Sequence, residues 1–325
     1  MNYARASHTA SVLQNGKVLV TGGINYIGYL NSAELYDPST KVWTVTGNMN
    51  YARNYHTASV LTNGKVLVAG GLYSASIYLN STELYDPSTE VWTITASMNY
   101  ARHLFAASVL TNGKVLVTGG HNALSGYLSS VELYDPSTGV WTIVNSMNYP
   151  RYYHTASILQ DGRVLVAGGF NAGGALNSAE LYNPLTGVWT VTSNMNYARY
   201  THAASVLTSG KVLVAGLSSA PVAEVYNPSA NVWTIAGTMN YARSYPLTSI
   251  LANGTVLLIG GSYYNILDTV ELFNPATATW TINDNMVYAR YYHAVCVLTN
   301  GQVLVTGGTN NINGYLSSAE IYQSY

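Results

Sequence analysis

Apolar and polar residues alternate along this chain in short bursts, and the bursts follow a fixed order. A stretch such as 8–13 (HTASVL) leads into Gln14, Asn15 and Gly16, then into the aliphatic run 17–23 (KVLVTGG). Asn-Gly supplies the positive φ of a tight hairpin turn, so the two stretches read as antiparallel strands. After a loop of variable length comes 33–38 (AELYDP), closed by a proline, then a second turn at 39–41 and 42–46 (VWTVT). Four strands in this order make an antiparallel meander. No segment carries apolar residues at the 3.6-residue period of an amphipathic helix, and the pattern predicts an all-β chain.

The meander repeats. The pentapeptide MNYAR stands at 1–5, 49–53, 98–102, 195–199 and 239–243, with MNYPR at 147–151 and MVYAR at 286–290. Units begin near residues 1, 49, 98, 147, 195, 239 and 286, and a period of this size calls for a propeller or solenoid. One meander cannot bury both of its faces. Packed radially, each sheet covers the next, and a closed ring hides the long edges. Gly-Gly recurs at 22–23, 70–71, 119–120, 168–169, 260–261 and 307–308, while the fifth copy has Gly216 followed by Leu217. The expectation is one domain, 1–325, of seven four-stranded blades.

In the second copy the residues Arg53, His56, Gly70, Gly71, Glu83, Tyr85 and Trp92 follow the order R-x-x-H, Gly-Gly, Glu-aliphatic-Tyr, Trp. This resembles the kelch repeat, and the resemblance covers essentially the whole chain. It implies a kelch-type seven-bladed β-propeller, a scaffold that serves many functions. Trp closes the unit at 43, 92, 141, 189, 233 and 280, but the seventh copy ends at 319–325 (AEIYQSY) without an outer strand. Kelch rings usually borrow that strand from the N-terminal end. The expectation is a three-stranded last blade or an upstream segment that completes it. Self-association through the uncovered edge is a third outcome that the pattern allows.

Charge narrows the function classes. Only 8% of residues are charged and the net charge is −1, without basic clusters, so a nucleic-acid partner is not expected. No apolar run approaches the ~18 residues of a membrane span. Cys296 is the single cysteine, which gives neither a disulfide framework nor a zinc cluster. Seven arginines sit in the repeated phrase (Arg5, Arg53, Arg102, Arg151, Arg199, Arg243, Arg290) and seven glutamates in the third strand (Glu34, Glu83, Glu132, Glu180, Glu224, Glu271, Glu320). Together they are 14 of the 27 charged side chains, and sevenfold repetition is what blade packing requires. They are expected to be structural, paired or bound to carbonyls, one set per blade. His8, His56, His154, His202 and His293 each follow their arginine by three residues, with Phe105 and Pro246 in two other copies. A ring of equivalents suits hydrogen bonding better than the convergent ligand set of a metal.

Catalytic motifs are scarce: the chain has no G-x-S-x-G, H-E-x-x-H or P-loop. Galactose-oxidase-like enzymes use a similar kelch-type ring, and their copper site resembles an R-x-Tyr-His phrase with a further His and a Tyr cross-linked to Cys. RNYH at 53–56 and RYYH at 151–154 and 290–293 match the phrase, and Tyr292 and His293 stand near Cys296. The phrase occurs three times, however, and strand alternation puts Cys296 on the side of Ala294 and Leu298, as a small apolar residue. A cross-linking partner would come from the position held by Ser7 or Tyr245, and the remaining ligand would be His121. The reading expects no catalytic residue, metal or cofactor and keeps a copper enzyme as the weakest alternative.

Recognition is expected on one face. Strand direction puts the loops after Gly-Gly beside the MNYAR joint and the Asn-Gly and Asp-Pro turns on the far side. The near face holds the variation, in Tyr, Asn, Ser and Gly, a mixture that suits adaptable binding surfaces. The candidate binding residues are Tyr29, Tyr78, His103, His121, Tyr127, Tyr152, Tyr200, Tyr263, Tyr264, Tyr291 and Tyr315. Tyr29, Tyr78, Tyr127 and Tyr315, each followed by Leu, have packing between blades as their alternative role. The expected function is non-catalytic binding of a protein or peptide; the alternative is a carbohydrate-binding propeller. Low charge and polar loops favour an extracellular place.

Overall fold

A computed structural model of the chain describes residues 1–322. Among these there is no helix, and the strands form seven radial antiparallel sheets. Blade 1 runs outward from the axis as Thr9–Val12, Val18–Thr21, Ala33–Asp37 and Val42–Thr46. Its register puts Ser11 opposite Leu19, Leu19 opposite Leu35 and Leu35 opposite Thr44. Blades 2 to 6 repeat this four-strand order. Blade 7 has three strands, Ala294–Val297, Val303–Thr306 and Ala319–Tyr322.

The second strand of each blade is buried at all four positions. It is paired on both sides and covered on both faces, so it reads as an unbroken apolar run. Its side chains alternate between neighbours. Leu19 joins Met49, Val66 and Val68 of blade 2, whereas Val18 and Val20 join Leu298 and Leu304 of blade 7. The core is thus seven wedges between blades, and the last of them closes the ring.

The repeated pentapeptide is the joint. In blade 2, Met49 is buried and its amide donates to the Asn31 carbonyl of blade 1 at 2.9 Å. Glu83 accepts from the Asn50 amide at 2.7 Å, the Asn50 side chain at 2.8 Å, the Tyr51 amide at 3.1 Å and Arg53 Nη2 at 2.7 Å. Arg53 Nη1 donates to the Gly70 and Ser81 carbonyls. Arg53 and Glu83 are both fully buried, and each charge is matched by its partner and by these bonds. The same Arg–Glu contact recurs in all seven blades. Blade 1 makes the joint against blade 7, where the Met1 amine donates to the Ser317 carbonyl at 2.8 Å.

Gly-Gly is where the joint touches the sheet. Gly70 has φ +62°, and a Cβ there would lie 2.6 Å from the Arg102 carbonyl and 2.8 Å from the Phe105 ring. Only glycine fits that approach. Beyond Gly-Gly, five of the loops fold into short hairpins, such as Ile24–Asn25 with Gly28–Tyr29 and His121–Asn122 with Gly126–Tyr127. Asn25, Asn122, Asn171 and Asn310 hold four of them. Each accepts an amide two residues on and donates to the carbonyl just before the blade's arginine.

Candidate functional site

In six of the seven blades an isolated bridge binds the residue after the arginine to the first residue beyond Gly-Gly: Ala6 to Ile24, Asn54 to Leu72, His103 to His121, Tyr152 to Phe170, Ser244 to Ser262 and Tyr291 to Thr309. The variable side chains of joint and loop therefore share one mouth around the axis. The next residue in each blade is left-handed: Ser7, Tyr55, Leu104, Tyr153, Thr201, Tyr245 and Tyr292 have φ between 50° and 56°. For non-glycine residues this costs on the order of 1–2 kcal/mol each. What holds them is a collar of backbone hydrogen bonds from blade to blade. Ser7 N donates to Tyr292 O at 2.8 Å, Tyr55 to Ser7 at 3.2 Å, Tyr153 to Leu104 at 3.1 Å, Thr201 to Tyr153 at 3.2 Å and Tyr245 to Thr201 at 2.8 Å.

The collar turns four tyrosines toward the axis, above a cavity of about 270 Å³ lined also by the inner-strand histidines. Tyr55 meets Tyr292 at 5.6 Å between ring centroids, Tyr292 meets Tyr245 at 4.5 Å, and Tyr245 meets Tyr153 at 5.6 Å. Around them lies a wider set. Tyr78 contacts His103 and His121; His121 contacts Tyr127 and Tyr152; Phe170 bridges Tyr152 to Tyr200. Tyr152–Tyr153 and Tyr55–His103 join the outer arc to the inner tyrosines, and Tyr291 joins through Tyr245 and Tyr292. The result is a continuous belt of aromatic rings that contains no Lys, Arg, Asp or Glu. Burial lowers the pKa of His103 and His121, so both are neutral at physiological pH.

Seven of the eleven candidate residues are in the belt: Tyr78, His103, His121, Tyr127, Tyr152, Tyr200 and Tyr291. Tyr78 and Tyr127 reach rings of the next blade, so they pack between blades at the mouth itself. Tyr315 pairs with Tyr26 at 4.9 Å across the blade 7–blade 1 seam, and Tyr263 pairs with Tyr264 at 4.4 Å; both pairs stand apart from the belt. Tyr29 contacts no other ring among the described residues. The sequence reading missed Tyr55, Tyr153 and Phe170 and treated Tyr245 and Tyr292 only as copper-site residues. The four tyrosines share a spacing, two residues after the arginine, which was the available signal, whereas Phe170 directly follows Gly-Gly.

Beneath the tyrosines, the histidines point ring nitrogens at threonine hydroxyls. His8 pairs with Thr306 at 2.8 Å, His154 with Thr118 at 2.9 Å, and His56 with Thr9 at 3.1 Å. Burial depresses all five; His56, His154 and His293 fall to about 3. His293 is the exception in bonding, because neither of its ring nitrogens has a partner among the described residues. Ile259 occupies the strand position that Thr21, Thr118 and Thr306 hold in other blades.

The copper alternative named Ser7, His121, Tyr245, Tyr292, His293 and Cys296. Cys296 packs with the apolar core of the blade 7–blade 1 wedge, and burial pushes its thiol up to about 12. Tyr245, on the neighbouring blade, stacks on Tyr292. Among the described residues, no three His, Cys, Asp or Glu side chains converge in a way that could hold a metal ion. No helix there is long and apolar enough to cross a membrane.

Comparison with known proteins agrees with the architecture. The family model described as the kelch motif matches residues 5–50, 53–99, 102–148, 150–196 and 289–324. No match is found among curated proteins. A solved structure titled as a novel fungal alcohol oxidase with catalytic diversity among the AA5 family, in complex with copper, superposes with a TM-score of 0.75 at 18% identity. The superposition covers 96% of this chain and 72% of that one, and at this identity the likeness is one of fold.

Proposed function

Because the chain belongs to the kelch-motif family, we propose that it is a non-catalytic recognition scaffold that binds a protein or peptide through the aromatic belt on its loop face. The belt is the observation that carries this reading. Tyrosine offers large contact area at low entropic cost together with a hydroxyl for hydrogen bonding, and such residues dominate the energetics of interfaces. The collar fixes the backbone beneath them, so little ordering remains to be done on binding. An uncharged belt favours an uncharged segment of the partner, since a buried unpaired charge would be penalised.

Selection from a random peptide library tests the proposal. Enriched peptides are expected to lose at least tenfold in affinity when Tyr152→Ala and Tyr291→Ala are combined, with the melting temperature unchanged. Peptides that bind both forms equally would overturn it. Signals on a glycan array, with none from peptides, would move the reading to carbohydrate binding. A visible absorption band during copper(II) titration would defeat the non-catalytic reading.

A further inference from the structure

Five blades carry a cation just before the second strand: Lys17, Lys65, Lys114, Arg163 and Lys211. Four of these have an acid at hand. Lys65 reaches Asp86 at 3.1 Å and Lys114 reaches Asp135 at 2.9 Å, each aspartate being the last residue of its blade's third strand. Val18 faces Tyr36, so Lys17 comes opposite Asp37 in the same way. Arg163 pairs with Asp161 at 2.6 Å. In blade 5 the third strand ends in Asn227, and Lys211 forms no ion pair among the described residues.

The wedge between blades 5 and 6 departs from the others in a second way. Elsewhere a tyrosine meets a threonine at the end of the preceding outer strand: Tyr85 Oη lies 2.7 Å from Thr46 Oγ1, and Tyr134 Oη lies 3.1 Å from Thr95 Oγ1. Here the corresponding residues are Phe273 and Ala236, so two hydroxyls and a methyl group are missing. Phe273 and Ala236 are buried, and with Leu207 and Val225 they form the apolar wall of a cavity of about 560 Å³.

The exposed rim of this cavity offers hydrogen-bond donors, from Lys211, Asn253 and Asn274. Asn253 Oδ1 accepts the Thr255 amide at 3.0 Å and the Thr255 hydroxyl at 2.6 Å, and Asn274 Oδ1 accepts the Ala276 amide at 2.9 Å. Those oxygens are occupied within turns, which leaves each side chain an NH2 group to donate. Asn274 also stands where blades 1 to 3 carry Asp37, Asp86 and Asp135, and no Asp or Glu lines the cavity. An apolar wall below one ammonium and two amide donors, with no carboxylate nearby, complements an anion that carries a hydrocarbon tail.

We propose that the groove between blades 5 and 6 is a binding site for a small monocarboxylate with an apolar tail. The tail lies against Phe273, Ala236, Leu207 and Val225, and the carboxylate meets Lys211 with Asn253 and Asn274 as further donors. Between blades 1 and 2 the same ligand would face the Asp86 carboxylate and a wall filled by Tyr85 and Thr46, which confines the site to one wedge. The groove opens beside the turns at Ser209 and Asn253, on the face opposite the aromatic belt, and does not rest on it.

Calorimetric titration of the 325-residue chain with octanoate tests the proposal. Saturable binding is expected. It should be at least tenfold weaker for butyrate, which shortens the tail, and about fivefold weaker for octanamide, which keeps the tail and removes the charge. Lys211→Met should lower octanoate affinity about fivefold, and Asn227→Asp should do the same by giving Lys211 the partner that Lys65 and Lys114 have. The combined Tyr152→Ala and Tyr291→Ala variant should bind octanoate as the parent does. Absence of saturable octanoate binding, equal binding of octanoate and octanamide, or undiminished binding to Lys211→Met overturns the proposal. Loss of octanoate binding in the belt variant overturns it as well.

Discussion

Blade 2 and blade 7 use nearly the same letters and differ in what surrounds them. In blade 2, Glu83 is fully buried, accepts four hydrogen bonds and lies under a complete outer strand. In blade 7, Glu320 keeps Arg290 but is 15% exposed, and Val287 replaces the asparagine that would donate a side-chain bond. The His56 ring is bonded to threonine, whereas the His293 ring has no partner among the described residues. A repeated residue is thus as structural as its neighbours make it, and blade 7 is where the repeat is least reinforced.

The largest test of this contrast removes the carboxylates. Glu83→Ala strands a buried arginine and should cost about 3–5 kcal/mol. Glu320→Ala should cost about 1–3 kcal/mol, since Glu320 is itself 15% exposed and accepts one hydrogen bond fewer than Glu83. Urea denaturation of both variants checks the order; equal losses would erase the distinction.

Acid sharpens it next. The inner histidines have folded pKa values below their unfolded value of about 6.5. Between that pH and about 3 the unfolded chain therefore binds more protons. Stability should be full above pH 6.5 and fall as pH drops, by up to about 1.4 kcal/mol per pH unit for each histidine. Phe105 shows that the socket accepts phenylalanine. His56→Phe and His293→Phe should each flatten the acid slope of the melting temperature by one proton. At pH 7.5 the former should cost about 1 kcal/mol through its lost hydrogen bond, and the latter should be neutral or stabilising.

The smallest effect is a reciprocal swap. Asn50→Val should lose about 1 kcal/mol and Val287→Asn should gain a similar amount by restoring the fourth bond to the carboxylate. Calorimetric melting of the two variants measures both signs.

Where a feature recurs in letters, it could be read before the fold was known. The seven arginines, the glutamates, the Gly-Gly pairs and the six tryptophans gave the blade count and the three-stranded last blade. The collar could not be read, because Ser7, Leu104 and Tyr153 share a conformation and no side-chain chemistry. The belt was half legible for the same reason. Loop tyrosines stood out by composition, but Tyr55 and Tyr153 enter the mouth only because a left-handed backbone turns them there. The hairpins carried a signal that went unused, an asparagine as the second residue after Gly-Gly.

Sequestering one carboxylate and one guanidinium in every blade leaves little for the outside. Of thirteen cationic and fourteen anionic side chains, only six and seven remain beyond the buried pairs. Colloidal behaviour then rests on amides and hydroxyls, with weak mutual repulsion between molecules. Such a particle should be held feebly by ion exchangers and respond to salt mainly by salting out, as an object whose ions have been turned into masonry.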